Sequence, residues 1–243
     1  MENRNVRLIV TENLRKTYTD NGVSVEAVRG IDLTIHAGEF TAIVGPSGSG
    51  KTTLLNLISG LDRPSSGKVW LKDKLLSEMS GRELSDFRRD HIGFIFQAYN
   101  LVPILTVTEN VEYIMVLQRL GREERRRRVV DILDRVGLAG FEDRFPTRLS
   151  GGQQQRVAIA RAMVSRPVMI LADEPTANLD SKTGADLLAM MKQLNDRTGM
   201  TFVFSTHDPR IMEKARRVII IRDGLIASDE DREAGGLPHA AAV

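Results

Sequence analysis

Short apolar runs alternate with longer amphipathic stretches along this chain. Residues 6–11 and 31–35 alternate or run apolar, with a turn signal at Asp20, Asn21 and Gly22 between them. About the first 40 residues therefore read as β-rich. Phe40, Thr41, Ala42, Ile43 and Val44 form a short strand of the buried type that runs directly into Gly45. Residues 52–59 have helical apolar spacing. Residues 168–172 (VMILA), 201–205 and 218–221 are further short apolar strands. Several of these alternate with helical segments, which argues for a mainly parallel α/β sheet covered on both faces.

The stretch 98–165 is different. It is mostly helical, with apolar positions Val111, Ile114, Met115 and Leu117, then Val129, Val130, Ile132, Leu133 and Val136. It reads as a helical subdomain inserted into the α/β core. The expected division of the single domain, 1–243, is a β subdomain plus core over 1–97 and 166–228, and a helical subdomain over 98–165. A flexible tail is expected over 229–243, ending GGLPHAAAV.

Composition adds exclusions. The chain has 243 residues, long enough for one large domain with an inserted subdomain. A net charge of +2 makes no global electrostatic case for a nucleic-acid binder. The absence of cysteine excludes disulfides, thiolate chemistry and cysteine-ligated metal. No apolar run approaches the roughly 20 residues of a spanning helix, and MENRNVRLIV is no secretory signal. A soluble protein is expected, with any membrane role supplied by a partner. The charged stretch 121–131 (GREERRRRVVD) is either an anion-binding patch or a solvated helix face. The second reading is favoured, because Glu123–Arg127 and Glu124–Arg128 both fall at i,i+4.

Chemistry enters at Gly45. Gly45-Pro46-Ser47-Gly48-Ser49-Gly50-Lys51-Thr52 fits the phosphate-loop pattern G-x-x-x-x-G-K-[ST], with a strand before it and a helix after it. Glycines let backbone N–H groups close around phosphates, Lys51 reaches the β and γ oxygens, and the Thr52 hydroxyl is a ligand for Mg²⁺. Such a loop needs an acid at a neighbouring strand end, and Asp173 supplies it, followed by Glu174. With Asp173 on the metal side, Glu174 is available to polarise a water for attack on the γ-phosphate. His207 ends another apolar strand, at the edge where parallel sheets bind ligands. Gln97 closes the apolar stretch 92–96 and is a candidate for Mg²⁺ or the attacking water; Tyr18 is a candidate to stack on a base. Taken singly, both also read as ordinary polar or half-buried residues.

A second glycine-rich site follows: LSGGQQQR, residues 149–156, opens a helix. Serine and glycine N–H groups at a helix N-terminus make a phosphate site, here without a lysine.

The phosphate loop, LSGGQ and the Asp-Glu pair, in this order, resemble the ATP-binding cassette (ABC) ATPases over about residues 7–227. The resemblance implies a P-loop NTPase of the α/β class, with a mainly parallel RecA-like core sheet, an antiparallel β subdomain and an inserted helical subdomain. It implies ATP and Mg²⁺ as cofactors. Tyr18 would stack on adenine, and the loop through Thr53 is the Walker A element. Gln97 is the Q-loop glutamine, and Ser150, Gly151, Gly152 and Gln153 are the signature. Asp173 and Glu174 are Walker B and the catalytic glutamate, Asp180 the D-loop aspartate and His207 the switch histidine. The D-loop reads NLD, where alanine or glycine often precedes the leucine.

The family also implies why there are two phosphate sites. Cassettes pair head to tail, each ATP lying between the Walker A loop of one and the signature of the other, so the chain is expected to form a homodimer in the ATP state. FQAYNLVP from Phe96, TVTENV from Thr106 and LADEPTANLD from Leu171 resemble the lipoprotein-release, macrolide-export and cell-division group of cassettes. This implies an integral-membrane permease partner, no nucleic acid, no direct membrane insertion, and a cytoplasmic, peripheral place on the inner face of the membrane. Leu101, Val102, Ile104 and Leu105 are expected to help line a groove for the partner. A soluble assembly scaffold and a regulatory switch of a cell-division-type membrane complex are the alternatives.

Overall fold

The computed structural model describes residues 6–232. In chain order the elements are β1 (Arg7–Asp20), β2 (Val23–His36), β3 (Phe40–Val44), α1 (Lys51–Ile58), β4 (Ser66–Leu71), β5 (Lys74–Leu75), α2 (Gly81–His91), β6 (Ile92–Ile95), α3 (Val107–Leu117), α4 (Arg122–Arg135), α5 (Gly151–Val164), β7 (Met169–Asp173), α6 (Ser181–Thr198), β8 (Thr201–Thr206), α7 (Pro209–Lys214), β9 (Arg217–Arg222) and β10 (Leu225–Asp231). They fall into two compact units, 6–77 with 202–232, and 78–201.

The first unit holds an antiparallel sheet in the order β2-β1-β4-β5. β1 and β2 are far longer than the short strands read from the sequence. The turn joining them carries Asn21 and Gly22 at φ 46° and 83°, the signs a two-residue hairpin needs. One face of the hairpin is apolar and buried, through Ile9, Leu14, Val28, Ile31 and Ile35. The same unit contains the run β10-β9-β3-β8, in which β3 lies parallel to both β8 and β9. All five residues of β3 are buried. The Phe40 ring lies tilted against those of Phe202 and Phe204, with centroids 5.7 and 4.7 Å away, apolar aromatic contacts that hold β3 against β8.

The second unit pairs β6 with β7 in parallel and surrounds them with α2 to α6. It takes in α2, β6, β7 and α6 as well as the helices expected over 98–165. α5 packs on β6, and the contact is backbone to backbone. A Cβ at Gly93 would lie 2.4 Å from the Ala162 carbonyl, so only glycine permits it. α3 buries Val107, Val111 and Met115, and α4 buries Val129, Ile132 and Leu133. Leu117 and Val130 are instead exposed.

Two expectations need correction. Residues 229–231 do not belong to a tail: they complete β10, and Asp229 receives both a 2.7 Å bond from Arg217 Nε and one of the same length from Nη2. The rest of the expected tail, from 233, lies outside the described residues. In the charged helix α4, Glu124 takes both Arg127 and Arg128, the latter at 2.7 Å, so Arg127 pairs at i,i+3 and not with Glu123. Arg125 bonds to Glu112 at 3.1 Å and to the Leu120 carbonyl at 2.7 Å. These arginines bind their own neighbours, as a solvated helix face does.

Candidate functional site

Helix starts mark the places where this chain can hold an anion. Four backbone N–H groups at the start of each helix lack an intrahelical acceptor. α2, α3 and α5 satisfy part of that demand with capping boxes, from Ser80 and Glu83, Thr106 and Glu109, and Ser150 and Gln153. α6 and α7 use the side chains of Asp180 and Asp208. α1 has no side-chain cap and no acid in its first turn. Its first helical bond runs from Leu54 N–H to Gly50 O, so Lys51, Thr52 and Thr53 form the first turn, at the positive end of the helix.

The loop before α1 is shaped for the same purpose. A Cβ at Gly45 would lie 2.1 Å from the Ile221 carbonyl, and one at Gly50 2.3 Å from the Ala27 carbonyl. Gly48 has open space around it, so its φ of 77° is what demands glycine there. Pro46, Ser47 and Gly48 form an exposed crest, while Ser49 is buried with no hydrogen-bond partner for its Oγ. Lys51 is 9% exposed, and its Nζ donates to the Gly45 carbonyl at 2.8 Å and the Pro46 carbonyl at 3.0 Å. An ammonium has three donors. Two brace the loop, and the third remains for an anion oxygen.

The strands bring His207 to this loop. β3 and β8 run in parallel with Val44 opposite Thr206, so Gly45 and the exposed His207 leave the sheet at the same level. Tyr18 lies near the end of β1, with its hydroxyl donating to Asp62 at 2.7 Å. Burial and the Asp62 carboxylate push that hydroxyl up, against a hydrogen bond with Thr53. Lys16 Nζ stands 4.8 Å from the ring centroid and 2.7 Å from Asp62. The ring, 42% exposed, is thus anchored beside the start of α1.

The second unit gathers the other candidates. β6 and β7 pair with Ile95 opposite Ala172. Gln97 and Glu174, each two residues further on, therefore emerge at one edge, next to Asp173. Met169, Ile170, Leu171 and Ala172 are wholly buried, while Asp173 and Glu174 are half-buried. Glu174 has φ 45°. A left-handed conformation in a residue with a Cβ costs about 1–2 kcal/mol, a strain found where a site holds a side chain in place. Gln155, fully buried on α5, donates to the Pro175 carbonyl at 2.7 Å and ties that helix to the turn after Glu174.

Ser150 Oγ accepts from Gln153 N–H at 3.3 Å, and Gln153 Oε1 accepts from Ser150 N–H at 2.9 Å. The box occupies the first and last of four candidate donors. The Gly151 and Gly152 N–H groups precede the first helical bond, Gln154 N–H to Ser150 O, and the Ser150 hydroxyl keeps its proton to donate. Neither glycine has room for more. A Cβ at Gly151 would stand 2.9 Å from Tyr99 Oη, and one at Gly152 2.4 Å from Thr183 Cγ2. Asp180 accepts from Lys182 and Thr183 N–H at 3.1 and 3.0 Å. Bonds from Thr183 first, its side chain and then its N–H, hold that carboxyl below the usual range. In this chain Asp180 serves as the cap of α6.

Lys51, Tyr18 and His207 thus share the first unit, and Gln97, Asp173, Glu174, Asp180 and the signature share the second. Sequence reasoning passed over Tyr99, Gln155 and Arg161, which brace these loops. A run of polar residues on one helix gave no sign of which one turns inward. Among the described residues, no cluster of three or more His, Asp or Glu can hold a metal ion. A magnesium ion fits such a donor set, because it keeps several waters and takes its other ligands from one or two protein oxygens and from phosphates.

A family model described as ABC transporter matches residues 28–177. The chain is 44% identical over 230 residues to the uncharacterized ABC transporter ATP-binding protein MJ0796 of Methanocaldococcus jannaschii, covering 92% of this chain and 97% of that one. It is 46% identical over 219 residues to the macrolide export ATP-binding/permease protein MacB of Shigella flexneri, covering 90% of this chain and 34% of that longer one. A dimeric structure of a post-hydrolysis state of the MJ0796 cassette, bound to ADP and Pi, superposes with a TM-score of 0.85 at 42% identity, covering 92% of this chain and 98% of that one.

Proposed function

This chain belongs to the ABC transporter family as one of its ATP-hydrolysing cassettes, and we propose that it works as a head-to-tail pair that drives an integral-membrane partner. Each ATP is held on one side by the Lys51 loop and the open end of α1, and on the other by the signature of the second copy. Thr52 of the first unit, and Asp173 and Gln97 of the second, are the residues that would serve a magnesium ion, which would offset phosphate charge. Glu174 accepts the proton of the attacking water, and His207 steadies the γ-phosphate.

The observation that carries this reading is the state of the α5 N-terminus. It offers the Ser150 hydroxyl and two glycine N–H groups, with no acid in its first turn and no lysine. Those are directional donors for an anion whose charge is met elsewhere. Ser150→Ala removes one donor and the helix cap, the latter alone worth about 1 kcal/mol. Nucleotide binding by the monomer should be retained, while ATP-driven association should weaken at least about 10-fold. Analytical ultracentrifugation at varied ATP, beside a nucleotide titration, checks this. Equal association by the variant and the parent would remove the second half-site.

The partner surface is proposed on the second unit. A cavity of about 250 Å³ is lined by Phe94, Phe96, Val102, Leu105, Tyr113 and Ile114, among others. Val102 and Ile104 are 41% and 82% exposed, while Leu101 and Leu105 are half-buried. Asn110, buried, holds this segment by donating to the carbonyls of Val102, Leu105 and Thr106 and accepting from Val102 N–H. The result is a rigid apolar rim suited to a short amphipathic helix of the permease. Val102→Asp with Ile104→Asp should abolish co-purification with the permease and leave ATP turnover of the isolated cassette unchanged. Retained co-purification would place the dock elsewhere. The likeness of the cassette to MacB supports a partner of the lipoprotein-release or macrolide-export type, with the protein held peripherally at the inner membrane face through it.

A further inference from the structure

Gln97 acts through its side chain, yet two side chains from distant segments grip the backbone that carries it. Asn178 Nδ2 donates to the Gln97 carbonyl at 2.9 Å, across 81 residues of sequence. Arg161, on α5, donates to the carbonyls of Tyr99, at 2.7 Å, and Asn100. Tyr99 and Asn100 stand at φ 59° and 51°, two successive left-handed residues. Such a pair persists only when its surroundings hold it. Burial lowers the pKa of the Arg161 guanidinium, a cost offset by two carbonyl acceptors.

Asn178 is placed to do more than brace. The Ala177 N–H bonds to the Glu174 carbonyl at 3.2 Å, and Leu179 N–H to the Thr176 carbonyl at 3.1 Å. Asn178 therefore rides on a closed turn that begins at Glu174. Its own carbonyl lies 3.9 Å from the Cβ position of Gly151. One residue thus touches the Gln97 carbonyl, stands on the Glu174 turn and borders the signature. An alanine or glycine at this position has no donor to offer. Asparagine does, and a neutral amide makes the bond without adding charge beside two carboxylates.

We infer that Asn178 is a positioning residue: its amide fixes Gln97 relative to Glu174, so that both face the same water. This rests on the proposed role of Gln97 in hydrolysis. The rate should depend on the bond and the affinity should not. Full-length Asn178→Ala, and the isosteric Asn178→Asp, which has no donor, should lower kcat on the order of 10-fold. The KM for ATP should be unchanged, as should the melting temperature, since Asn178 is exposed. Asn178→Gln keeps the donor and should retain more turnover than Asn178→Asp.

A double-mutant cycle with Gln97→Ala separates the possibilities. If Asn178 acts through Gln97, the double variant is no slower than Gln97→Ala alone. Additive losses, equal losses in Asn178→Gln and Asn178→Asp, or wild-type kcat in Asn178→Asp each overturn the inference and leave the role of Gln97 standing. Wild-type kcat in Gln97→Ala itself removes that role and the inference with it.

Discussion

Glu174→Gln is expected to bind ATP, lose turnover by about 100-fold or more, and accumulate as an ATP-dependent dimer. The glutamine has the size and shape of the glutamate. It fits the same left-handed backbone at φ 45° and the same place after a fully buried strand, so the fold and the nucleotide contacts are kept. It has lost the basic oxygen that takes a proton from water. In the proposed head-to-tail pair, association depends on ATP at the interface and release depends on its cleavage. A variant that completes the first step and not the second must collect in the paired state. Phosphate release and light scattering at saturating ATP·Mg²⁺ measure the two effects. A monomeric variant under those conditions would refute the sandwich.

Lys51→Ala should fail at the earlier step. The Lys51 ammonium braces two carbonyls of its own loop, at 2.8 and 3.0 Å, and in the proposed site its third donor serves the phosphates. Alanine removes the charge and the brace together. Hydrogen bonds to charged groups contribute about 1.5–3 kcal/mol each. The loss of one such bond predicts a fall in ATP affinity of about 10- to 150-fold. A fluorescent-nucleotide titration reads this directly. ATP-dependent dimerisation should vanish with it, since little nucleotide remains bound to bridge the copies. Unchanged affinity would mean that the backbone N–H groups of α1 hold the phosphates alone.

The contrast between these variants shows how the chain was legible. Lys51 and Glu174 each follow an apolar strand at the start of a helix or turn, and Ser150 opens a glycine-rich helix start; such junctions are visible in a sequence. The buried strand before Gly45 and the one before Asp173 are both where the hydrophobic pattern put them, to within a residue. The long hairpin of β1 and β2 was harder. Beyond Thr11 its alternation is broken by shifts in register, so the pattern shows only its buried ends. β4, β5 and β10 carry too few apolar residues to stand out. Contacts between loops left no trace at all. Arg161 lies in a helix whose spacing predicts packing, yet its use is to hold carbonyls 61 and 62 residues away. Asn178 was visible as an unusual letter; its partner was not.

The bare start of α1 has one more consequence. Five other helices carry side-chain caps and α4, uncapped at Gly121, has Glu123 and Glu124 in its first turn, whereas α1 has neither cap nor acid and would be completed by a bound anion. The triphosphate is then a missing piece of secondary structure as well as fuel. Its occupancy adds to the stability of the first unit by mass action, in proportion to the logarithm of its concentration over the dissociation constant. A cell that runs short of ATP would then do more than slow this ATPase. It loosens the part that must be firm before the next molecule can be caught.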